Sequence, residues 1–255
     1  MIDLHCHILP GVDDGSQNEQ DALDLARAAY ASGIKYILCT PHHHNGRFLN
    51  PKADIIRRVS ALQALLDREK IPLKVFEGQE VRIFEELPSA IARDEILFCD
   101  LSKKYLLIEF PTTDVPNYTS QMFTQLLARK HTPVIVHPER NRVFGQDPNK
   151  LVDFLEMGCL AQLTAPSYVG VFGKTIQKTA RLMVAHEMVQ LVASDAHHIQ
   201  KRGFHLKEAY AAIARDFGEE RTAYYEDNAK RVLNGDALPL SSYTRVKKTI
   251  FGNFK

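Results

Sequence analysis

Short β-branched apolar runs alternate with longer segments of helical period along nearly the whole chain, a pattern that favours parallel strands joined by crossover helices. The runs lie near Ile2 to His7, Tyr36 to Thr40, Leu73 to Glu80, Tyr105 to Phe110, Pro133 to His137, Cys159 to Thr164 and Val189 to Ser194. Between them, Glu19 to Ser32, Pro51 to Glu69, Tyr118 to Lys130, Pro148 to Met157 and Lys174 to Glu187 space apolar residues three and four apart. Leu206 to Phe217 and Arg221 to Leu233 continue as helices, and Asn234-Gly235 is a stop signal. No repeat or low-complexity linker divides the chain, so the expectation is one α/β domain over 1–237 and a basic tail over 238–255.

Repeated strand-helix units can close as an irregular barrel or lie open as a doubly wound sheet. The polar residues favour the barrel. His5 and His7 end the first run, with Cys6 on the opposite strand face. Asp13 and Asp14 follow in the next loop, and His42, Glu80, Glu109 and His137 close the next four runs. Asp195 and His197 follow the last run. Such groups would converge on one rim of a barrel, whereas an open sheet would spread them along a line. A merely polar rim would carry Lys, Ser and Asn as often as His, Asp and Glu, and this one carries transition-metal ligands.

Imidazole mixed with carboxylate, with no cysteine ligand, suits manganese, iron or zinc better than calcium or a structural zinc. There are more candidates than one ion needs, so two or three ions are expected, with a carboxylate such as Glu80 bridging a pair. Clustered ions of this kind suit hydrolysis. Arg140 and Arg202 stand close in sequence to the candidate ligands and suggest phosphate recognition through charge-assisted hydrogen bonds. The plainer alternative is a surface salt bridge, such as Arg140 with Glu139.

Other chemistry is disfavoured. Cys6, Cys39, Cys99 and Cys159 form no C-x-x-C pair, and none has an arginine six residues on, as a cysteine phosphatase loop requires. Gly173-Lys174-Thr175 ends like a nucleotide-binding loop, but Tyr168 stands where its first glycine belongs. His43 and His44 are expected in a loop or behind the ligands, and Glu139 is expected to face away. A formal charge of +1 gives no general reason to bind nucleic acid. Scattered thiols and the absence of an export signal suit the cytoplasm.

These residues resemble the PHP (polymerase and histidinol phosphatase) superfamily, and within it the bacterial manganese-dependent tyrosine-protein phosphatases of capsule and exopolysaccharide synthesis. The likeness rests on Met1 to Pro10 with Val12-Asp13-Asp14-Gly15, Thr40-Pro41-His42-His43, Gly78-Gln79-Glu80, Ile108-Glu109-Phe110-Pro111, His137-Pro138-Glu139-Arg140-Asn141 and Ala193-Ser194-Asp195-Ala196-His197. It implies a distorted (β/α)7 TIM-like barrel with three metals. His5, His7, Glu80 and Asp195 would hold the first, Glu80, Glu109 and His137 the second, and Asp14, His42 and His197 the third. Asp14 rather than Asp13 comes from that family pattern. The resemblance also implies a substrate, phosphotyrosine in the tail of a bacterial tyrosine kinase, and the phosphatase reading makes Arg140 and Arg202 the expected catalytic residues. Rival readings are a small-molecule phosphatase acting on histidinol phosphate and a metal-stabilised binding module without turnover. The segment from Pro239 to Lys255 is expected to be a solvated tail, with contact to a kinase or the inner membrane face as the alternative. Oligomeric state has no signature in the sequence.

Overall fold

A computed structural model describes residues 1–239 and 242–247. Its strands are β1 (Ile2–Cys6), β2 (Tyr36–Cys39), β3 (His42–His43), β4 (Lys74–Glu77), β5 (Glu80–Arg82), β6 (Tyr105–Glu109), β7 (Thr132–Val136), β8 (Leu160–Thr164) and β9 (Leu191–Ala193). Its helices are α1 (Glu19–Ala31), α2 (Lys52–Arg68), α3 (Leu87–Ala92), α4 (Thr119–Ala128), α5 (Arg142–Gln146), α6 (Asn149–Met157), α7 (Ala165–Val169), α8 (Lys174–Ala185), α9 (Leu206–Phe217) and α10 (Glu219–Asn234). Every strand expected from the sequence is present. The helices α3, α5 and α7 span only six, five and five residues, too few for a helical period to register.

The named strands pair in parallel in two groups, β1-β2-β4 and β3-β5-β6-β7-β8-β9. Two ribbons of chain pass from one group to the other. Residues 36–43 form β2 and then β3, while 74–82 form β4 and then β5. The single strand expected over Leu73 to Glu80 is therefore broken at Gly78-Gln79. A β-carbon on Gly78 would stand 2.8 Å from Leu38 Cγ, so the break passes close to its neighbour. Counted as ribbons, the strands make seven staves. On the far side, Asp195 N donates to His5 O at 2.8 Å and His7 N to Ala196 O at 2.9 Å, joining β1 to the chain beyond β9. The result is a distorted barrel in which the β5 to β6 contact is paired only near its upper end.

Two apolar layers hold this shape. Leu4, Leu38, Tyr105, Leu107, Val134, Val136, Leu191 and Ala193 form an inner cluster shared with Ala229 and Val232 of α10. The alternate residues, among them Ile37, Leu106, Ile108, Ile135, Leu163 and Val192, join the larger core that includes the surrounding helices. Burial of one complete Leu or Ile side chain contributes about 1.5–3 kcal/mol, so these layers dominate the stability.

One irregularity in β1 bears directly on the rim. Asp3 pairs with Ile37 and Cys6 with Cys39, so β1 has one residue more than its neighbour over this stretch. Such a bulge re-aims side chains. Leu4 joins the inner cluster, and His5 still reaches Gln162 on β8.

Ser242 to Lys247 depart from the solvated tail expected for this region. Val246 is buried, Thr244 N donates to His186 O at 2.9 Å, and Arg245 pairs with Asp153 and Glu156 at 2.8 Å. An apolar side chain with a place to bury itself, one backbone hydrogen bond and two carboxylate partners outweigh the polar composition of the segment. Lys248, Phe251, Phe254 and Lys255 lie outside the described residues. No helix among the described residues is long and apolar enough to cross a membrane.

The turn after β1 leaves no room for a side chain at Gly15, where a β-carbon would stand 2.0 Å from His7 O. Gly15→Ala is expected to displace this turn and cost about 1–3 kcal/mol. A thermal melt of the variant should show a Tm several degrees below that of the parent chain.

Candidate metal centre

The strand ends deliver their imidazoles and carboxylates to one buried cluster. His5 Nε2 and His7 Nε2 are 3.2 Å apart. Glu80 Oε2 stands 3.4 and 3.3 Å from these atoms, and Asp195 Oδ1 stands 3.5 and 3.3 Å from them. Donors held at about 2.0–2.2 Å from one tetrahedral ion are roughly 3.3–3.6 Å apart, so this spacing fits a shared cation.

The cluster extends to either side. His42 Nδ1 lies 2.7 Å from Glu80 Oε2 and 3.8 Å from Glu109 Oε2. His137 Nε2 meets the other Glu80 oxygen at 2.7 Å. Asp14 Oδ1 is 3.4 Å from both His42 Nε2 and His197 Nε2. Three overlapping sets have metal-binding spacing: His7, Asp14, His42 and His197; His5, His7 and Glu80; and His42, Glu80 and Glu109. His137 and Asp195 fall in none of these sets and join the cluster through their contacts with Glu80 and with His5 and His7. The grouping differs in detail from the one the resemblance implies, with His7 and His42 as well as Glu80 each shared between two sets.

Asp14 Oδ1, His42 Nδ1, Glu80 Oε2, Asp195 Oδ1 and His197 Nε2 are buried and make no well-aligned hydrogen bond among the described residues, although His42 Nδ1 and Glu80 Oε2 face each other at 2.7 Å. Leaving one such atom unpaired ordinarily costs about 1–3 kcal/mol. A concentration of them at donor-donor spacing is what bound cations would relieve. Burial and Arg140 push His137 down to about 4, and burial and His7 push His197 down to about 4, leaving both imidazoles neutral and able to ligate. Burial and the nearby Glu80 raise Glu109 to about 7, a conflict between carboxylates that a cation would remove.

Backbone strain is placed at the same points. His137 and Asp195 have φ of 39° and 55°, in the left-handed region, at the ends of β7 and β9. Each turn swings a candidate ligand across the mouth.

Arg140 and Arg202 do converge, on Asp195. Arg140 Nη1 donates to Asp195 Oδ2, and Arg202 Nη2 donates to the same oxygen at 2.6 Å. Burial disfavours charge on Asp195, but Arg140 and His5 hold its carboxyl well below the usual carboxylate range. The partner of Arg140 is therefore Asp195 and not Glu139, which is buried and accepts from Thr164 N at 3.1 Å. Arg202 Nε is buried and unpaired among the described residues, which leaves it a donor for a further oxygen. Arg140 lies 5.5 Å from the Phe172 ring centroid.

Two supporting residues escaped the sequence reading. Gln162 Oε1 accepts from His5 Nδ1 at 3.1 Å, and Arg82 Nε donates to Glu109 Oε2 at 3.0 Å. A glutamine in the middle of a buried strand was the available signal for the first. Arg82 follows Glu80 by two residues but resembles any exposed basic side chain. His43 accepts from Asn50 N at 3.3 Å and His44 stacks on Phe84 at 3.9 Å, both outside the three sets.

The family described as capsular polysaccharide synthesis, CpsB/CapC, matches residues 1–234. The chain belongs to this family. It is 39% identical over 255 residues to the tyrosine-protein phosphatase YwqE of Bacillus subtilis, covering 100% of both chains. Identity to the tyrosine-protein phosphatase CpsB of Streptococcus pneumoniae is 26% over 239 residues, covering 91% of this chain and 98% of that one. A chain from the crystal structures of YwqE and CpsB, described as metal-dependent tyrosine phosphatases, superposes with a TM-score of 0.93 at 39% identity. That match covers 97% of this chain and 100% of the other. Organophosphorus hydrolase of Deinococcus radiodurans shares the fold, with a TM-score of 0.53, 13% identity and 91% of each chain covered.

All four cysteines are buried outside the cluster, and burial raises every thiol, Cys159 to about 12. The native protein should resist iodoacetamide near neutral pH, with no mass increase and no loss of turnover. Rapid alkylation with inactivation would return a cysteine to the chemistry.

Proposed function

We propose that this chain is a metal-dependent protein-tyrosine phosphatase of capsular or exopolysaccharide synthesis, acting on phosphotyrosine in the tail of a bacterial tyrosine kinase. The observation that carries the reading is the convergence of unpartnered imidazole and carboxylate atoms around Glu80. The phosphotyrosine assignment rests on family membership and on the relatives named as tyrosine phosphatases.

His5, His7, Glu80 and Asp195 would hold one ion, Glu80, Glu109 and His137 a second, and Asp14, His42 and His197 a third. Manganese is the first choice, with iron and zinc as alternatives. When bound, such ions neutralise phosphoryl oxygens and lower the pKa of water.

The protein's own contribution is placement. Asp195 gives one oxygen to the cluster and the other to both guanidinium groups, so Arg140 and Arg202 are held beside the position a phosphate would take. Their remaining N–H donors would bind phosphoryl oxygens, and charge neutralisation would be the main catalytic term. A tyrosine phenolate has a conjugate-acid pKa of about 10, so its departure needs less proton donation than that of a serine alkoxide.

Activity should vanish on metal removal and return on reloading, with initial rates on phosphotyrosine peptides above those on phosphoserine peptides and histidinol phosphate. Preference for histidinol phosphate would move the function to metabolism. No turnover with manganese, iron or zinc would leave a binding module.

Arg140→Ala and Arg202→Ala are expected to retain bound metal, measured by elemental analysis, while losing at least ten-fold in kcat/KM. Unchanged turnover in both would remove the arginines from the mechanism.

A further inference from the structure

Asp13 and Asp14 are adjacent carboxylates in the turn after β1, yet they face different partners. Asp14 Oδ1 points to His42 and His197 and has no hydrogen-bond donor among the described residues. Asp13 is buried and accepts three hydrogen bonds. Its Oδ2 takes one from His7 Nδ1 at 2.7 Å and one from His42 N at 3.1 Å, while Oδ1 takes one from Gly15 N at 2.9 Å.

From this geometry we infer that Asp13 is a positioning residue that fixes the tautomer of His7 and ties the ends of β1 and β3 into one metal-binding frame. A carboxylate against Nδ1 keeps the proton there and leaves the Nε2 lone pair free, and Nε2 is the atom beside His5, Glu80 and Asp195. The other tautomer would place a proton at the centre of the donor set and exclude the cation. The same Asp13 oxygen grips the backbone of His42, so it fixes the separation between His7 and a second imidazole.

The neighbouring imidazoles have weaker holds. His5 Nδ1 donates to a neutral amide oxygen of Gln162 at 3.1 Å, and His197 Nδ1 to the Asp195 carbonyl at 2.9 Å. Among these three, His7 alone has a carboxylate hydrogen-bonded to Nδ1, whereas the Asp195 carboxylate stands back from His197 Nδ1 at 3.5 Å. Carboxylate support of a ligating imidazole raises its basicity, and its removal typically costs about 10–100-fold in metal affinity.

The inference rests on the proposed metal centre but not on the substrate. The decisive substitution is Asp13→Asn, which keeps the side-chain size and replaces one acceptor oxygen by a donor, bringing donor against donor at His7, His42 or Gly15. Manganese binding to the metal-stripped protein, followed by calorimetry, should weaken by about 10–100-fold in this variant, with its circular dichroism unchanged. Nitrogen-15 NMR of the metal-stripped parent should show a proton on His7 Nδ1, and Asp13→Asn should populate the form protonated on Nε2 alone. Asp14→Asn is the control, expected to lose metal while keeping the His7 proton on Nδ1.

A folded Asp13→Asn protein with parental manganese affinity would overturn the inference. So would a His7 whose Nδ1 carries no proton in the metal-stripped parent, a measurement that needs no variant to fold. Failure of phosphotyrosine turnover with both binding results as expected would count against the proposed function and leave the role of Asp13 standing.

Discussion

Glu80 is a carboxylate with no exposed surface, and both of its oxygens are surrounded by imidazole nitrogens. One oxygen faces His5, His7 and His42, and the other meets His137. A lone buried carboxylate would carry a desolvation cost of several kcal/mol. The barrel mouth is arranged around meeting that cost, with candidate ligands from separate strands brought to one acidic group. The break between β4 and β5 puts Glu80 at the start of a new strand, opposite His42 in the register. An uninterrupted strand would have to meet both sheet groups without that change of partner.

Asp195 plays the complementary part on the far wall. Its left-handed turn and its two arginines each have a cost, one conformational and one in desolvated charge, and they recur at the same residue. The inner apolar layer and the α10 side chains beneath it supply the stability against which such strain persists. This division matches a general feature of barrels, in which one end is packed for stability and the other is given over to reactive groups.

Much of this was legible in the sequence because parallel buried strands produce continuous apolar runs, and a charged or imidazole residue ending each run is conspicuous. His42, Glu80, Glu109 and His137 were visible for that reason. The bulge in β1 was not, since neither glycine nor proline marks it. The partner of Arg140 was also hidden, because adjacency in sequence suggested Glu139 while the left-handed turn at Asp195 brings a carboxylate from 55 residues away. Asp13 and Asp14 look alike in the sequence, and only the turn that opposes Gly15 to the His7 carbonyl separates their directions. Val246 shows the same limit, since one apolar residue in a polar segment carries no period from which burial can be read.

The extra residue in β1 gives the fold an unequal tolerance of changes in length. Loops on the outer face can absorb an inserted residue because their ends are held by helices and strands on either side. β1 cannot, because side-chain direction alternates at every position and a single deletion between Asp3 and Cys6 would change which residues face inward. The apolar residues of β1 can drift among themselves, but its residue count is part of the candidate metal centre. Over evolutionary time, alignments of relatives should therefore place gaps in the surface loops and leave the spacing from Asp3 to His7 uninterrupted.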